Sequence, residues 1–192
     1  MSELQRKWDA IYRNAAEAPA ASELLANHCY LLPERGNALD LACGLGGNAL
    51  LLAKSGLNVA AWDVSPVALE KLRQNAERQS LSVNTRHCQI GAESLPTCAY
   101  DVIVICRFLD RTLCNAIMAA LNPGGLLFYQ TFTRDKLDQH GPSNPDYLLA
   151  HNELLELFKP LSVVFYQEYA RIGDTRLGNR NEACFIGQKL ER

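Results

Sequence analysis

Asn37-Ala38-Leu39-Asp40-Leu41-Ala42-Cys43-Gly44-Leu45-Gly46-Gly47-Asn48-Ala49 decides the fold of this chain. Ala38 to Ala42 reads as a buried strand, Cys43 to Gly47 as a glycine-rich turn, and Asn48 as the start of a helix. Leu50-Leu51-Leu52-Ala53 continues that helix, and Gly56 ends it in a left-handed cap. A strand that feeds a helix through such a turn presents backbone N–H groups at the helix N-terminus. Glycines there let a ligand approach the backbone closely. The spacing Gly44-x-Gly46-x-x-Ala49 fits the dinucleotide fingerprint, which permits alanine at its third position. Asp40 argues against a dinucleotide. It stands four residues before Gly44, where a nicotinamide-binding strand is apolar up to its first glycine. A carboxylate there repels a pyrophosphate and attracts an ammonium group, so the expected ligand carries an amine or a sulfonium.

The run Asp40-Leu41-Ala42-Cys43-Gly44-Leu45-Gly46-Gly47 resembles motif I of the class I S-adenosylmethionine-dependent methyltransferases. In that family the glycine loop approaches the amino-acid end of the cofactor, with the strand-end acid beside it. The resemblance implies that Asp40, Ala42, Gly44 and Gly46 bind S-adenosyl-L-methionine, with S-adenosyl-L-homocysteine as the product.

With 192 residues, the chain is long enough for one domain with a sizeable core and too short for two full ones. Apolar residues at 48% and charged residues at 21% give a globular composition. A net charge of −2 does not favour a nucleic-acid backbone as partner. No apolar run approaches the ~20 residues of a membrane span. No signal peptide is read in residues 1–20, which open with charged Glu3, Arg6 and Lys7. The seven cysteines form no Cys-x-x-Cys pair and are read as reduced thiols of a cytoplasmic protein. No clustered ligands suggest a metal site.

Before the glycine turn, Leu4, Trp8, Ile11, Tyr12 and Ala15 form a helical stripe. Trp8-Asp9-x-x-Tyr12 resembles the opening of many small bacterial methyltransferases, whose N-terminal helix lies over the cofactor pocket. Trp8 and Tyr12 are therefore either cofactor-binding lid residues or plain core. Ser22 caps a second helix with Leu24, Leu25, His28, Cys29 and Leu32 inward. Residues 1–32 are expected to cover the cofactor site within a single domain spanning 1–192.

After the turn, Leu57 to Trp62 forms a second strand ending at Asp63, nineteen residues beyond Gly44. An acid at that distance suits hydrogen bonding to ribose hydroxyls. Val64 follows it as a further cofactor contact. Ser65-Pro66 starts a helix with an N-cap hydroxyl and a proline at the first position. Val83 to Cys88 or Ile90 is a third strand of mixed polarity, nearer an edge. Gly91-Ala92-Glu93-Ser94-Leu95-Pro96 occupies a position that reads Asp-Ala-Glu-x-Leu-Pro in the resembled family, where an acid meets the adenine. Gly91 replaces that Asp, which leaves Ala92 and Glu93 as candidates. Glu93 is otherwise an exposed loop acid.

Tyr100 to Cys106 reads as a central parallel strand, with Asp101 structural at its far end. Arg107 follows the carboxyl end of that strand, where ligands of open α/β sheets bind. It is a candidate for the cofactor through its backbone, or for an anionic acceptor through its side chain. A helix carrying Leu113, Ile117 and Leu121 runs to Asn122-Pro123-Gly124-Gly125, which with Leu126 to Tyr129 resembles the family's fifth-strand entry. Thr131 to Tyr147 has little periodicity and reads as the acceptor-side loop. His140 within it is a general-base candidate or an exposed loop histidine. Asn152 caps a helix with Leu154, Leu155 and Phe158. Ser162 to Tyr169 and Ala183 to Lys189 form an antiparallel hairpin. Its linking arginines 171, 176 and 180 are a solubilising tip or an anion-attracting rim.

The resemblance implies an α/β fold: a doubly wound, mostly parallel seven-stranded sheet of order 3-2-1-4-5-7-6 with the last strand antiparallel and helices on both faces. Trp8-Asp9-x-x-Tyr12, Gln130-Thr131-Phe132 and Asn144-Pro145-x-Tyr147-Leu148-Leu149-x-x-Asn152-Glu153-Leu154-Leu155 resemble more narrowly the tellurite-resistance and thiopurine-like small-molecule methyltransferases. The resemblance implies an S-adenosylmethionine-dependent methyltransferase, monomer or homodimer, acting on a small molecule such as a thiol or reduced selenium or tellurium, with no nucleic-acid or membrane partner. The alternatives are an NAD-dependent oxidoreductase, disfavoured by Asp40 and the terminal hairpin, and a non-catalytic adenosyl-ligand-binding protein.

Overall fold

A computed structural model describes residues 2–15 and 19–191. The helices are α1 (Glu3–Arg13), α2 (Glu23–Asn27), α3 (Gly47–Lys54), α4 (Pro66–Arg78), α5 (Cys114–Ala120) and α6 (Glu153–Leu157). The strands are β1 (Asn37–Leu41), β2 (Asn58–Asp63), β3 (Val83–His87), β4 (Tyr100–Cys106), β5 (Leu121–Phe132), β6 (Ser162–Gln167) and β7 (Glu182–Gln188). They pair in the order β3-β2-β1-β4-β5-β7-β6. The five strands from β3 to β5 are parallel, and β7 runs antiparallel to both β5 and β6. The sequence-derived order is therefore the observed one.

Alternation along β4 shows why the central strands are apolar throughout. Val102 and Val104 face a core containing Leu25, Leu52, Leu72 and Phe128. Ile103 and Ile105 face the opposite core with Tyr129, Phe158 and Phe185. Both faces of the sheet are covered, so neither set of side chains can be polar. Asp101 keeps its structural role: its carboxylate accepts the Asn37 N–H and the Asn122 side-chain amide, both at 2.8 Å.

The local punctuation of the first half is as expected. Gly56, at φ +89°, follows α3. The Leu57 N–H reaches Leu52 O and the Gly56 N–H reaches Ala53 O, which is the paired bonding of a left-handed cap. Ser65 accepts the Ala68 N–H at 3.2 Å, with Pro66 at the first position of α4.

Several expectations need correction. β1 ends at Leu41, because Ala42 turns out of the strand at φ +57°. The helix expected to reach Asn122 stops at Ala120, and Asn122 to Gly125 bulge out within β5. Leu121 pairs with Tyr100 and the next pair is Leu126 with Val102. On α1 only part of the predicted stripe turns inward: Trp8, Tyr12 and Ala15 are half-buried, but Leu4 is 43% and Ile11 49% exposed, whereas Asp9 is buried. The helix docks through the Asp9–Ser65 hydrogen bond of 2.6 Å as well as this partial stripe. Cys29 is exposed, since α2 ends at Asn27 and a 3-10 turn over Cys29–Leu31 redirects the chain. Asn152 does not cap α6 through its side chain. It sits at φ +60°, and its backbone N–H is taken by Glu168 at 3.0 Å. The hairpin strands end earlier and start earlier than expected, at Gln167 and Glu182.

Candidate active site

The carboxyl ends of β1, β2, β4 and β5 and the start of antiparallel β7 share one edge of the sheet. Two groups of residues assemble there.

The first group surrounds the glycine turn. Gly44 (φ +52°) and Gly46 (φ +81°) adopt backbone conformations that a side chain disfavours. A Cβ on Gly46 would lie 2.2 Å from a Leu72 methyl, so this glycine lets α4 pack against the turn. A Cβ on Gly44 would lie 2.7 Å from the Tyr12 hydroxyl, so this bare backbone faces α1. Asp63 is buried. One of its oxygens accepts the Gly44 N–H at 2.8 Å and the other the Ser65 N–H at 2.8 Å. Burial pushes this carboxyl up, against the pull of those amides. Each oxygen keeps a second lone pair to accept a hydroxyl.

Asp40 is also buried, and one oxygen accepts the Ala49 N–H at 2.9 Å. It thus serves the N-terminal turn of α3, whose cap residue Gly46 has no side chain to do so. Burial pushes its pKa up to about 7; the Ala49 amide lowers it and the Asp63 charge raises it. The sequence expectation of an acid offering its charge to a ligand meets a carboxylate already turned toward its own helix.

Trp8 and Tyr12 stack at 5.5 Å on α1. Lys71 holds the end of that helix by donating to the backbone oxygens of Tyr12, Arg13 and Ala15. Val64 follows Asp63, and His87 Nε2 lies 3.1 Å from its carbonyl oxygen. Ala92 and Glu93 lie in an exposed 3-10 turn. The departure at Gly91 has a physical counterpart. A Cβ there would come within 2.2 Å of Glu93 Oε1, so the Glu93 carboxylate folds back over the bare α-carbon.

The second group surrounds Arg107, the residue after β4. It has φ +56°, and its N–H donates to Gln130 O at 2.8 Å. Its Nε donates to Glu182 Oε1 at 2.6 Å. Glu182 Oε2 accepts from the side-chain amides of Gln130 (2.5 Å) and Asn179 (2.8 Å). Burial opposes the charge on Glu182, but these three donors outweigh it and hold the carboxyl below its ordinary range. The guanidinium lies 5.5 Å from the Phe132 ring centre, and His140 meets the same ring edge-on at 5.7 Å. The two catalytic candidates therefore share one aromatic neighbour. The His140 ring is exposed and has no hydrogen-bond partner among the described residues. Arginines 171, 176 and 180 bind Asp135 and Lys136 O, Asp174, and three loop carbonyls, so they stitch their own loops together.

Glu182 and Asn179 were not legible as site residues. An acid heading an apolar strand is visible in sequence, but its partner Arg107 is 75 positions away. Among the described residues no group of three His, Cys, Asp or Glu could hold a metal ion. Among the described residues no helix is long and apolar enough to cross a membrane.

Residues 38–125 match the family model of a methyltransferase domain. A ubiquinone biosynthesis O-methyltransferase from Methylocella silvestris is 34% identical over 104 residues, covering 50% of this chain and 40% of the relative. The chain thus spans less than half the length of this curated relative. TehB from Haemophilus influenzae superposes with a TM-score of 0.69 at 22% identity, over 96% of this chain and 66% of that one. The cyclase SpnF superposes with a TM-score of 0.74 at 16% identity, over 99% and 96%. These likenesses share the fold; the cyclase among them shows that the fold does not fix the reaction.

Proposed function

From a chain that carries a methyltransferase domain on the class I S-adenosylmethionine-dependent methyltransferase fold, with S-adenosyl-L-methionine as its cofactor, we propose transfer of the methyl group to a small molecule. The observation that carries this proposal is the Asp63 bridge. A carboxylate at the end of β2 is bonded to the Gly44 amide, and both stand beneath Tyr12. These residues fit the cofactor: a glycine cradle free of Cβ atoms, a ribose-type acid, and a covering helix.

When bound, S-adenosyl-L-methionine supplies an electrophilic methyl group on a sulfonium sulfur. Asp63 would accept ribose hydroxyls through its remaining lone pairs. Asp40, Ala42, Gly44 and Gly46 would line the amino-acid end, and Val64, Ala92 and Glu93 the nucleoside end. Trp8 and Tyr12 on α1, with α2, would cover the site and exclude water. Arg107 and His140 would face the acceptor. Alignment and exclusion of water can together lower a barrier by roughly 7–11 kcal/mol. Among the described residues the His140 ring has no hydrogen-bond partner to set it as a base, which favours a nucleophile that needs none, such as a thiolate or reduced selenium or tellurium.

The test is calorimetric titration of S-adenosylhomocysteine and NAD into wild type and Asp63→Asn, each with its melting temperature. Asn preserves more of the backbone contacts than Ala would. We expect S-adenosylhomocysteine to bind wild type, at least tenfold weaker binding to the variant, and no NAD binding. NAD binding in its place would overturn the proposal.

A further inference from the structure

We propose that Arg107 is a fixed receptor for the paired oxygens of an oxyanion on the methyl acceptor, and that Glu182 is the positioning residue that holds it. This rests on the methyltransferase function proposed above and names the chemistry of its acceptor.

Arg107 is constrained at every level. Its backbone is left-handed, which a non-glycine residue adopts at a cost of roughly 1 kcal/mol. Its N–H is bonded to β5 and its Nε to Glu182. The Glu182 side chain is 2% exposed, against 56% for that of Arg107. Gln130, which also binds Glu182, is itself locked, since its Oε1 accepts the Leu24 N–H at 3.1 Å. A buried carboxylate is expensive unless every lone pair is used well. Here three donors use it, and the consequence is a guanidinium held in one orientation against Phe132. Among the described residues its terminal Nη1 and Nη2 atoms donate to nothing. They form an end-on fork of the kind that pairs with two oxygens of a carboxylate or similar anion.

The charges around it sharpen the inference. Glu182, bonded to the Arg107 Nε, compensates part of its positive charge. Lys136 approaches the same Phe132 ring at 6.0 Å, but its ammonium donates to the carbonyls of His140 and Pro142. Recognition therefore depends on the geometry of the fork more than on net charge, and lysine should not replace arginine. The oxyanion has two sources of the same chemistry: a carboxylate carried by an organic thiol, or an inorganic chalcogen oxyanion.

The experiment titrates S-adenosylhomocysteine into wild type, Arg107→Gln, Arg107→Lys and Glu182→Gln, with affinities expected to agree within threefold. 2-Mercaptobenzoate, the uncharged 2-mercaptobenzamide and selenite are then titrated into the loaded proteins. Wild type is expected to prefer 2-mercaptobenzoate over the amide by at least tenfold, and both Arg107 variants to lose the preference. Selenite binding that both Arg107 variants lose, without a 2-mercaptobenzoate preference, would support the inorganic source. Glu182→Gln is expected to lower the preference severalfold while its melting temperature and S-adenosylhomocysteine affinity hold. Asn179→Ala, which loosens Glu182 without changing any charge, is expected to lower it less. Wild type that neither prefers the acid nor binds selenite overturns the proposal, as does Arg107→Gln that keeps wild-type anion binding; either way, bound S-adenosylhomocysteine leaves the methyltransferase function standing. A preference unchanged in both Glu182→Gln and Asn179→Ala overturns the positioning role. Failure of every protein to bind S-adenosylhomocysteine overturns the function itself, and this inference with it.

Discussion

The two halves of the sheet edge are built on different length scales. Around the glycine turn, the carboxylates are satisfied by amides close in sequence: Asp63 by Ser65 two positions away, Asp40 by Ala49 nine away, and Asp63 by Gly44 nineteen away. Around Arg107, the contacts span 75 positions to Glu182, 52 from Gln130 to Glu182, and 106 from Leu24 to Gln130. One half is a local motif that can be recognised as a string. The other exists only once the antiparallel β7 has been laid beside β5.

The largest test of that difference compares two left-handed glycines. Gly46→Ala places a Cβ 2.2 Å from Leu72, which is fully buried at the junction of the turn and α4. The clash and the positive φ together should cost about 4 kcal/mol or more. Gly173, in the loop between β6 and β7, has φ +68° but nothing within 4 Å of an added Cβ. Gly173→Ala should cost only about 1 kcal/mol, the backbone term alone. Urea unfolding of both variants measures the gap, and equal costs would break the contrast between a packed local turn and an open peripheral loop.

The same contrast explains what was legible. Gly44, Gly46, Asp63, Ser65 and Pro66 are local signals with one structural solution each, and the strand order was legible through the family resemblance that these motifs and the terminal hairpin carry. The docking of α1 was legible only in part: Trp8 and Tyr12 are half-buried as the stripe suggests, but the helix is also held by Asp9 on Ser65 and by Lys71 on its last carbonyls, polar bonds that an apolar pattern does not announce. The partners of Arg107 were not legible either. Nothing near Glu182 in sequence distinguishes a buried ion-pair acid from a strand-end surface acid.

A smaller effect tests the electrostatics of the local half. Asp40 has a folded pKa of about 7, against roughly 3.9 for an unfolded aspartate. The native state therefore holds a proton that the unfolded chain has lost, from about pH 4 to about pH 7. Its contribution to stability is complete below that window and declines as pH rises through it, by about 2 to 4 kcal/mol in all. Asp63 is shifted in the same direction, whereas Glu182 is shifted down by its three donors. Urea midpoints between pH 5 and pH 8 should fall with rising pH in wild type and flatten in Asp40→Asn, which keeps an acceptor for the Ala49 amide. A flat wild-type profile would mean that Asp40 stays ionised and available to a ligand cation, as the sequence suggested.

The smallest effect probes a cap that sequence and structure describe differently. Asparagine before Glu153-Leu154-Leu155 has the position of an N-cap, and a capping Asn would lose about 1 kcal/mol on replacement by alanine and a few tenths on replacement by glycine. In the structure the Asn152 side chain makes no capping bond, and the residue is there for its left-handed φ of +60°. Glu153 supplies the bond instead, its carboxylate accepting the Ala150 N–H at 2.7 Å while also pairing with Arg111. Asn152→Ala should then cost about 1 kcal/mol through backbone strain alone, and Asn152→Gly should be neutral or slightly stabilising. The sign of the glycine variant, measured by thermal unfolding, separates the two. A loss of stability with glycine would return Asn152 to a capping role. A gain would show that even a local signal outside the glycine turn is set by its partner across the fold, since the Asn152 N–H is oriented by Glu168 beyond the end of β6.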